Sequence, residues 1–508
     1  MAELGFTAHA GTMPDKPALV LGDDRRTFAE LDGRSTRLAH ALADQGVAER
    51  GRVAMMLPNG FELAETGLAA AKLGASVVPV NWHLKADELA WILEDSGASV
   101  LVAHGTLRSA YDRARAAEAC DLLVVAGDGT EPSYEAAIAA VPAGVPHLAA
   151  ETMASPVFYM SGTTGRPKGV VHGYLDRERS RMAQLGQVQL WGWTADDVYL
   201  LSGPAYHAGP GGYLMAALFV GATTVILPHF DAREWLQAVS THRGTISFMV
   251  PAHFIRILEV PEEERARHDL SSLRLIVHGG APCPVPVKRR IIDALAPAEI
   301  WELYGASEGG ATRISPREWL EHPGSVGTPW PGVEVRILDG DGRPLPPGRT
   351  GIVHIRPAGG ARFHYHDDEE KTAGAWHDDA FTVGDVGYLD EDGYLYLTDR
   401  ATDMVIRGGV NVYPREIEEV LHRHPEVVDC AVFGVPDERL GENLAALVET
   451  RRPVRPDELQ AWCRERLADF KVPALVRIVD ELPRQPNGKV LKRLLRQGAW
   501  DDRDREIG

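Results

Sequence analysis

A chain of 508 residues is longer than one hydrophobic core normally supports, so at least two domains are expected. An apolar fraction of 44% fits a globular protein, and a net charge of −19 excludes bulk attraction to nucleic acid or to an anionic membrane surface. The four cysteines, Cys120, Cys283, Cys430 and Cys463, are far apart and form no metal-type pair; with no signal-peptide pattern at the start, they point to a reducing cytoplasm.

The first 150 residues read as alternating strands and helices. Arg52–Leu57 is an apolar strand closed by Pro58, Asn59 and Gly60, and an alanine- and leucine-rich helix follows over Phe61–Leu73. Ser76–Val80 is a strand, Ala86–Asp95 a helix with Leu89, Ile92 and Leu93 at helical spacing, and Ser99–Ala103 a further strand. Such alternation predicts a largely parallel sheet covered by helices. It continues through strands at Val198–Leu201, Thr223–Leu227, Ile246–Val250 and Arg274–Val277, with a helix near Leu214–Phe219. The longest apolar run, Tyr213–Leu227, is too short to span a bilayer and reads as a buried helix followed by a strand.

From Val333 the character changes. Val333–Leu338, Gly351–Arg356 and a hairpin over Gly387–Leu397 are short strands between Gly/Pro/Asp turns, a small β-rich subdomain over about 330–398. After Arg400 a compact α+β unit is expected. It has helices at Pro414–Leu421 and Asp457–Leu467, the latter with a capping-box pattern at Asp457 and Gln460, and strands at Val427–Val432, Leu444–Glu449 and Leu475–Val479. The fold class is therefore α/β: a large N-terminal domain, 1–400, of layered α/β sheets, followed by a small α+β domain, 401–508.

One stretch concentrates chemistry. Tyr159–His172 reads YMSGTTGRPKGVVH, with Ser161, Gly162, Thr163, Thr164, Gly165 and Lys168 within a few residues. Glycines let backbone N–H groups turn toward a ligand, hydroxyls add donors, and the lysine supplies a full positive charge, a combination suited to cradling phosphates. It is not a Walker loop, because Pro167 precedes the lysine and Gly169 follows it.

The stretch resembles the phosphate loop of the adenylate-forming enzymes, the superfamily of acyl-CoA synthetases, peptide-synthetase adenylation domains and beetle luciferases. Further motifs carry the resemblance along nearly the whole chain, closest to fatty-acyl-CoA synthetase-like ligases. It implies ATP, Mg²⁺ and coenzyme A as cofactors and a small carboxylic acid as substrate. By resemblance, His207 in Pro204–His207 (PAYH) stands at the wall of the carboxylate pocket, and Gly279, Gly280, Ala281 and Pro282 line the adenine and acyl pocket. Tyr304 and Gly305 lie against adenine, Ser307 replaces the usual threonine as donor to the α-phosphate, and Glu308 holds Mg²⁺. Asp385 binds the ribose hydroxyls, with Val383 where the family has threonine. Arg400 is the second ribose contact at the entrance to a hinge where Thr402 replaces the usual Asp or Lys. Arg407, Gly408 and Gly409 turn toward the pantetheine channel, and Lys489 in Pro483–Lys489 (PRQPNGK) enters the site for adenylation. Family members are often dimers.

Competing readings come from the same residues. Gly305-Ala306-Ser307-Glu308-Gly309 is a literal GxSxG, so a serine hydrolase is an alternative, weakened because no apolar helical stripe follows it. Loading of a separate carrier protein, catalysis of one half-reaction only with a partner adenylating enzyme, and a non-catalytic acyl-nucleotide binding protein are others. The cluster His364-Tyr365-His366-Asp367-Asp368 has metal-ligand residue types but reads as a solvated loop. Glycines 209, 211, 212, 279 and 280, with Ala281, suggest a roomy acid pocket. They favour a bulky hydrophobic acid, such as a medium or long fatty acid or a polycyclic acid, over a small benzoate.

Overall fold

The computed structural model describes residues 5–116, 120–125, 133–148, 150–160, 167–400, 403–407, 410–437, 439–485, 488, 490–492 and 494–496. They form two compact units. The first comprises Met1–Met249, Glu262–Ile276 and Ala361–Gly374; the second comprises Val250–Pro261, Val277–Gly360 and Ala375–Gly508.

The first unit contains the predicted α/β repeat. Strands Ser76–Pro79, Arg52–Met56, Val100–His104 and Asp121–Val125 lie side by side in that order, all parallel. Their near-continuous apolar runs are what a sheet covered on both faces requires. Met56, Val78, Leu101 and Val124 pack with Leu89, Ile92 and Leu93 of the helix Ala86–Ser96. The helix Phe61–Leu73 ends where predicted, at Gly74 in the left-handed conformation. A second run of neighbouring strands follows the order Ile246–Met249, Val198–Leu201, Thr223–Ile226, Pro17–Leu21 and Asp24–Thr27. The hairpin of the last two, and the long helix Phe28–Asp44 capped reciprocally by Thr27 and Glu30, are elements the periodicity reading does not reveal.

The helix expected near Leu214–Phe219 starts earlier, at Ala208, and takes in Gly209, Gly211 and Gly212, with the Gly211 N–H donating to the His207 carbonyl at 3.0 Å. Burial of Tyr213, Leu214, Ala217 and Leu218 outweighs the weak helical preference of the glycines.

In the second unit, Glu299–Ala306, Gly309–Ile314 and Thr328–Pro329 form an antiparallel series. The β-rich subdomain is a six-stranded sheet built on Glu334–Leu338, Gly351–Arg356, Asp385–Leu389 and Leu395–Arg400. The C-terminal part carries the sheet order Val410–Val412, Val405–Arg407, Gly441–Thr450 and Val427–Asp437, with Leu475–Val479 parallel to Gly441–Thr450. Ile417 and Leu421 of the helix Pro414–His422, and Leu459 of the helix Pro456–Arg464, close its core against Val432, Leu444 and Val448. The second of these helices differs from expectation. It starts one residue earlier, behind Arg455, and Asp457 does not cap it because its carboxylate takes the Arg455 guanidinium at 3.0 Å. Among the described residues no helix is long and apolar enough to cross a membrane.

Candidate active site

The first unit supplies the base of the glycine-rich loop. Ser161, Gly162, Thr163, Thr164 and Gly165 lie outside the described residues, but both roots of the loop are defined. Phe158–Met160 pairs antiparallel with Lys168–Val171, and Met160 stands opposite Lys168. The Tyr159 hydroxyl donates to Asp95 at 2.6 Å, and the Trp91 indole N–H donates to the Pro167 carbonyl at 3.2 Å. Burial, reinforced by Asp95, pushes the Tyr159 phenol well up, so it stays a donor.

The other side of the lysine strand is the segment read from sequence as a solvated loop, and the structure corrects that reading. His364–Tyr365 pairs with Val170 and Val171 as a third strand. The His366 N–H donates to the Gly169 carbonyl at 2.8 Å, and Arg52 Nη1 lies 3.0 Å from His366 Nε2. Asp368 ion-pairs with Lys168 Nζ at 2.9 Å. The hydrogen bond from Lys168, then that from the Lys371 N–H, hold the Asp368 carboxyl below its usual range. The residue types suggest metal or solvent; only the strand pairing shows that they lie against the strand that carries Lys168.

His207 occupies the N-cap position of its helix without donating or accepting as a cap. Its Nε2 is buried with no hydrogen-bond partner among the described residues, and its ring centroid lies 4.4 Å from that of Tyr206. Burial pulls its pKa down to about 4, so it is a neutral group at physiological pH. The glycines around it do not create the room inferred for them. A Cβ on Gly209 would sit 2.5 Å from the Phe248 ring, and one on Gly211 would sit 2.3 Å from the Ala205 carbonyl oxygen. Gly279 in the second unit is likewise blocked, at 2.6 Å from the Leu303 carbonyl oxygen. These positions are glycine because backbone or a ring already fills the space. Gly212 alone of the three in this helix faces open space.

The second unit holds the remaining nucleotide-facing motifs. The strand Leu275–His278 runs into Gly279, Gly280, Ala281 and Pro282, and Gly280 has φ of 79°, a conformation that favours glycine. Beneath them, Lys288 is fully buried and its ammonium lies 2.5 Å from Glu302, with His278 Nε2 3.7 Å from the same carboxylate. Tyr304 and Gly305 lie near the end of Glu299–Ala306, and Ser307 and Glu308 form a two-residue turn into Gly309–Ile314, Ala306 facing Gly309. The chain after Ser307 is thus an antiparallel strand rather than a helix, which removes the nucleophile-elbow reading.

The buried Tyr304 donates its hydroxyl to Asp385 at 2.7 Å. Asp385 stands directly opposite Arg400 in the strand register, so the two expected ribose contacts share one rung of the sheet. Glu308 is 5% exposed at its turn. Among the described residues no trio of His, Cys, Asp or Glu forms a complete metal cage. A single carboxylate that shares its cation with phosphate oxygens is the donor set Mg²⁺ takes, and Glu308 fits that description.

At the C-terminal end, Gly408, Gly409 and Lys489 lie outside the described residues, as does Thr402. Arg407 closes its strand and donates to the Phe470 carbonyl at 2.6 Å. The turn that carries Lys489 is held at both shoulders. Leu491 N–H bonds to Pro483 O at 2.9 Å, and Arg484 Nη1 bonds to Gly488 O at 3.2 Å. Arg484 Nη2 in turn meets Asp429, whose other carboxylate oxygen lies 3.2 Å from His422 Nε2. A Cβ on Gly488 would come within 2.7 Å of Ala252 Cβ, so the turn sits hard against Val250–Ala252. Sequence reading had quoted Arg484 within its motif without a role. Nothing in the spacing of His422 or Asp429 signalled a link to it.

Each unit thus carries motifs that resemble those of the adenylate-forming ligases: the strands flanking the Gly/Ser/Thr-rich stretch in the first, and Tyr304, the Ser307-Glu308 turn and Asp385 in the second. The AMP-binding enzyme family matches residues 6–365, and the AMP-binding enzyme C-terminal domain matches residues 416–489. The chain belongs to this family. It is 34% identical over 508 residues to a fatty acid–[acyl-carrier-protein] ligase, ScoC, of Streptomyces coeruleorubidus, covering 98% of this chain and 96% of that protein. It is 36% identical over 485 residues to a feruloyl-CoA synthase of an Amycolatopsis species, covering 94% and 95%. Among solved structures, the o-succinylbenzoate CoA synthetase (MenE) of Bacillus subtilis, in complex with the acyl-adenylate intermediate OSB-AMP, superposes with a TM-score of 0.83 at 28% identity, over 97% of this chain and 98% of that one.

Proposed function

We propose that this protein joins a bulky hydrophobic carboxylic acid to coenzyme A through an acyl-adenylate, in the cytoplasm, by alternation of a C-terminal domain, 401–508, against an N-terminal domain, 1–400. The observation that carries the reading is the strand register that sets Asp385 opposite Arg400, with the Tyr304 hydroxyl on Asp385, in a chain of the AMP-binding family.

In the first step a carboxylate oxygen attacks the α-phosphate of ATP, and pyrophosphate leaves. The difficulty is repulsion between anions. Lys168 with the N–H groups of Ser161–Gly165, the Ser307 hydroxyl, and Lys489 on its braced turn neutralise charge where it develops. Glu308 would hold Mg²⁺, and the ion would supply Lewis-acid neutralisation of phosphate charge. His207, neutral and buried, presents a ring nitrogen to the acid without adding charge. In the second step the C-terminal domain turns about Arg400–Asp403, Lys489 withdraws, and the face of Arg407, Gly408 and Gly409 guides the thiol of coenzyme A to the acyl carbonyl. AMP then leaves.

Support for a hydrophobic acid comes from aromatic rings near His207 rather than from the glycines: Tyr206 packs on His207 itself, and Phe248, which pairs with Tyr213, lies against Gly209 two residues further on. A second acceptor is favoured by one observation: the relative ScoC, matched over 96% of its length, is named a fatty acid–[acyl-carrier-protein] ligase. Mass spectrometry of protein, Mg²⁺, ATP, CoA and a panel of fatty, aromatic and polycyclic acids tests the reading. Acyl-CoA products identify the full ligase and the acid class together. Acyl-AMP without thioester moves the acceptor to a carrier protein, and thioester formed only from supplied acyl-AMP means a single half-reaction.

A further inference from the structure

The ion pair between Lys168 and Asp368 joins the phosphate loop to a segment two hundred residues away in sequence, within the first unit. Everything else around the lysine fixes its backbone. Gly169 is hydrogen-bonded through its carbonyl to His366, Val170 and Val171 are strand-paired to Tyr365 and His364, and Tyr159 is locked by Asp95. The ammonium is the part left to exchange partners, and each of the two side chains is about one-fifth exposed, open to an incoming ligand. Asp368 is itself preset. One carboxylate oxygen accepts the Lys371 N–H at 3.0 Å, as the N-cap of the helix Glu369–Ala375, which aims the other at Lys168.

Resting on the ligase reading above, we propose that Asp368 is a placeholder anion for the phosphate loop: it occupies Lys168 in the nucleotide-free protein and is displaced by the β- and γ-phosphates of ATP. Asp368 is then a determinant of affinity for polyphosphates, and AMP, which lacks those phosphates, does not compete with it. The device keeps the lysine from straying onto the many carboxylates of a chain with net charge −19, and it weakens product pyrophosphate binding, which aids release.

Asp368→Asn tests this cleanly, because asparagine caps a helix as well as aspartate but carries no charge. Titration calorimetry with ATP, pyrophosphate and AMP in turn is expected to show ATP and pyrophosphate bound about two- to fivefold more tightly in the variant, the range of one partly exposed ion pair, with AMP unchanged. The gain narrows as ionic strength rises. Unchanged or weaker ATP binding overturns the proposal, as does an equal shift for AMP, which would indicate a general change of the pocket. Asp368→Ala, which loses cap and charge together, is expected to show the same tightening with a lower melting temperature; tightening absent there overturns the proposal too. A wild-type protein that binds no ATP at all overturns the ligase reading instead.

Discussion

Asp429→Asn probes the support of the turn that leads to Lys489. Asp429 is 7% exposed and its carboxylate is shared by two cations, with His422 Nε2 3.2 Å from one oxygen and Arg484 on the other. Burial alone would push its pKa up; the His422 and Arg484 contacts outweigh burial and bring it to about 2. A fall from near 4 to about 2 corresponds to about 2.5 kcal/mol, and removing one member of a buried pair typically costs about 3–5 kcal/mol. The amide keeps Oδ1 as acceptor for the Cys430 N–H and His422 but turns its NH₂ toward the Arg484 guanidinium, donor against donor. A loss of about 2–5 kcal/mol in denaturant unfolding is therefore expected. The sign with pH follows: this contribution is complete above pH 4 and is lost as pH falls toward 2, so the acid limb of the stability curve is flatter in the variant. Arg484 is left with the more distant Glu449 carboxylate at 3.4 Å as its counter-ion, which loosens its bond to Gly488 O and with it the turn before Lys489. Acyl-AMP formation is expected to drop about 10- to 100-fold, the scale of a misplacement near 1 Å, with thioester formation from supplied acyl-AMP nearly unchanged. Stability within about 0.5 kcal/mol of wild type would refute the energetic argument. Equal loss in both half-reactions would refute the link to the turn.

Lys489→Ala is expected to cut acyl-AMP formation about 10²–10³-fold while sparing thioester formation, measured as separate half-reactions. Gly209→Ala forces a methyl against the Phe248 ring and should cost about 1–3 kcal/mol in thermal unfolding, whereas Gly212→Ala, facing open space, should be neutral or slightly stabilising. His207 is neutral in the fold down to about pH 4 but titrates near 6.5 when unfolded, so it takes stability away as pH falls between these values. His207→Gln should remove that slope, by at most about 3 kcal/mol, in urea titrations from pH 7 to pH 4.

The sequence by itself determined the elements whose signal is local. Hydrophobic runs bounded by Gly and Pro placed Arg52–Met56, Phe61–Leu73, Val198–Leu201, Gly351–Arg356 and Leu475–Val479 within a residue of their observed limits, because burial of apolar side chains between turn residues leaves a local mark in composition. It also supplied the short motifs, since a phosphate cradle or a Ser-Glu turn needs its residue types side by side. Tertiary structure alone decided which distant residues meet. Asp368 meets Lys168, Tyr304 meets Asp385, and Asp429 meets Arg484 across separations that strand register and helix packing set. It also decided what a glycine means: Gly209 and Gly279 read as empty space in sequence, yet both are places where the chain passes close to something already there. A missing side chain specifies either a void or a close approach, and only the neighbour's position distinguishes the two.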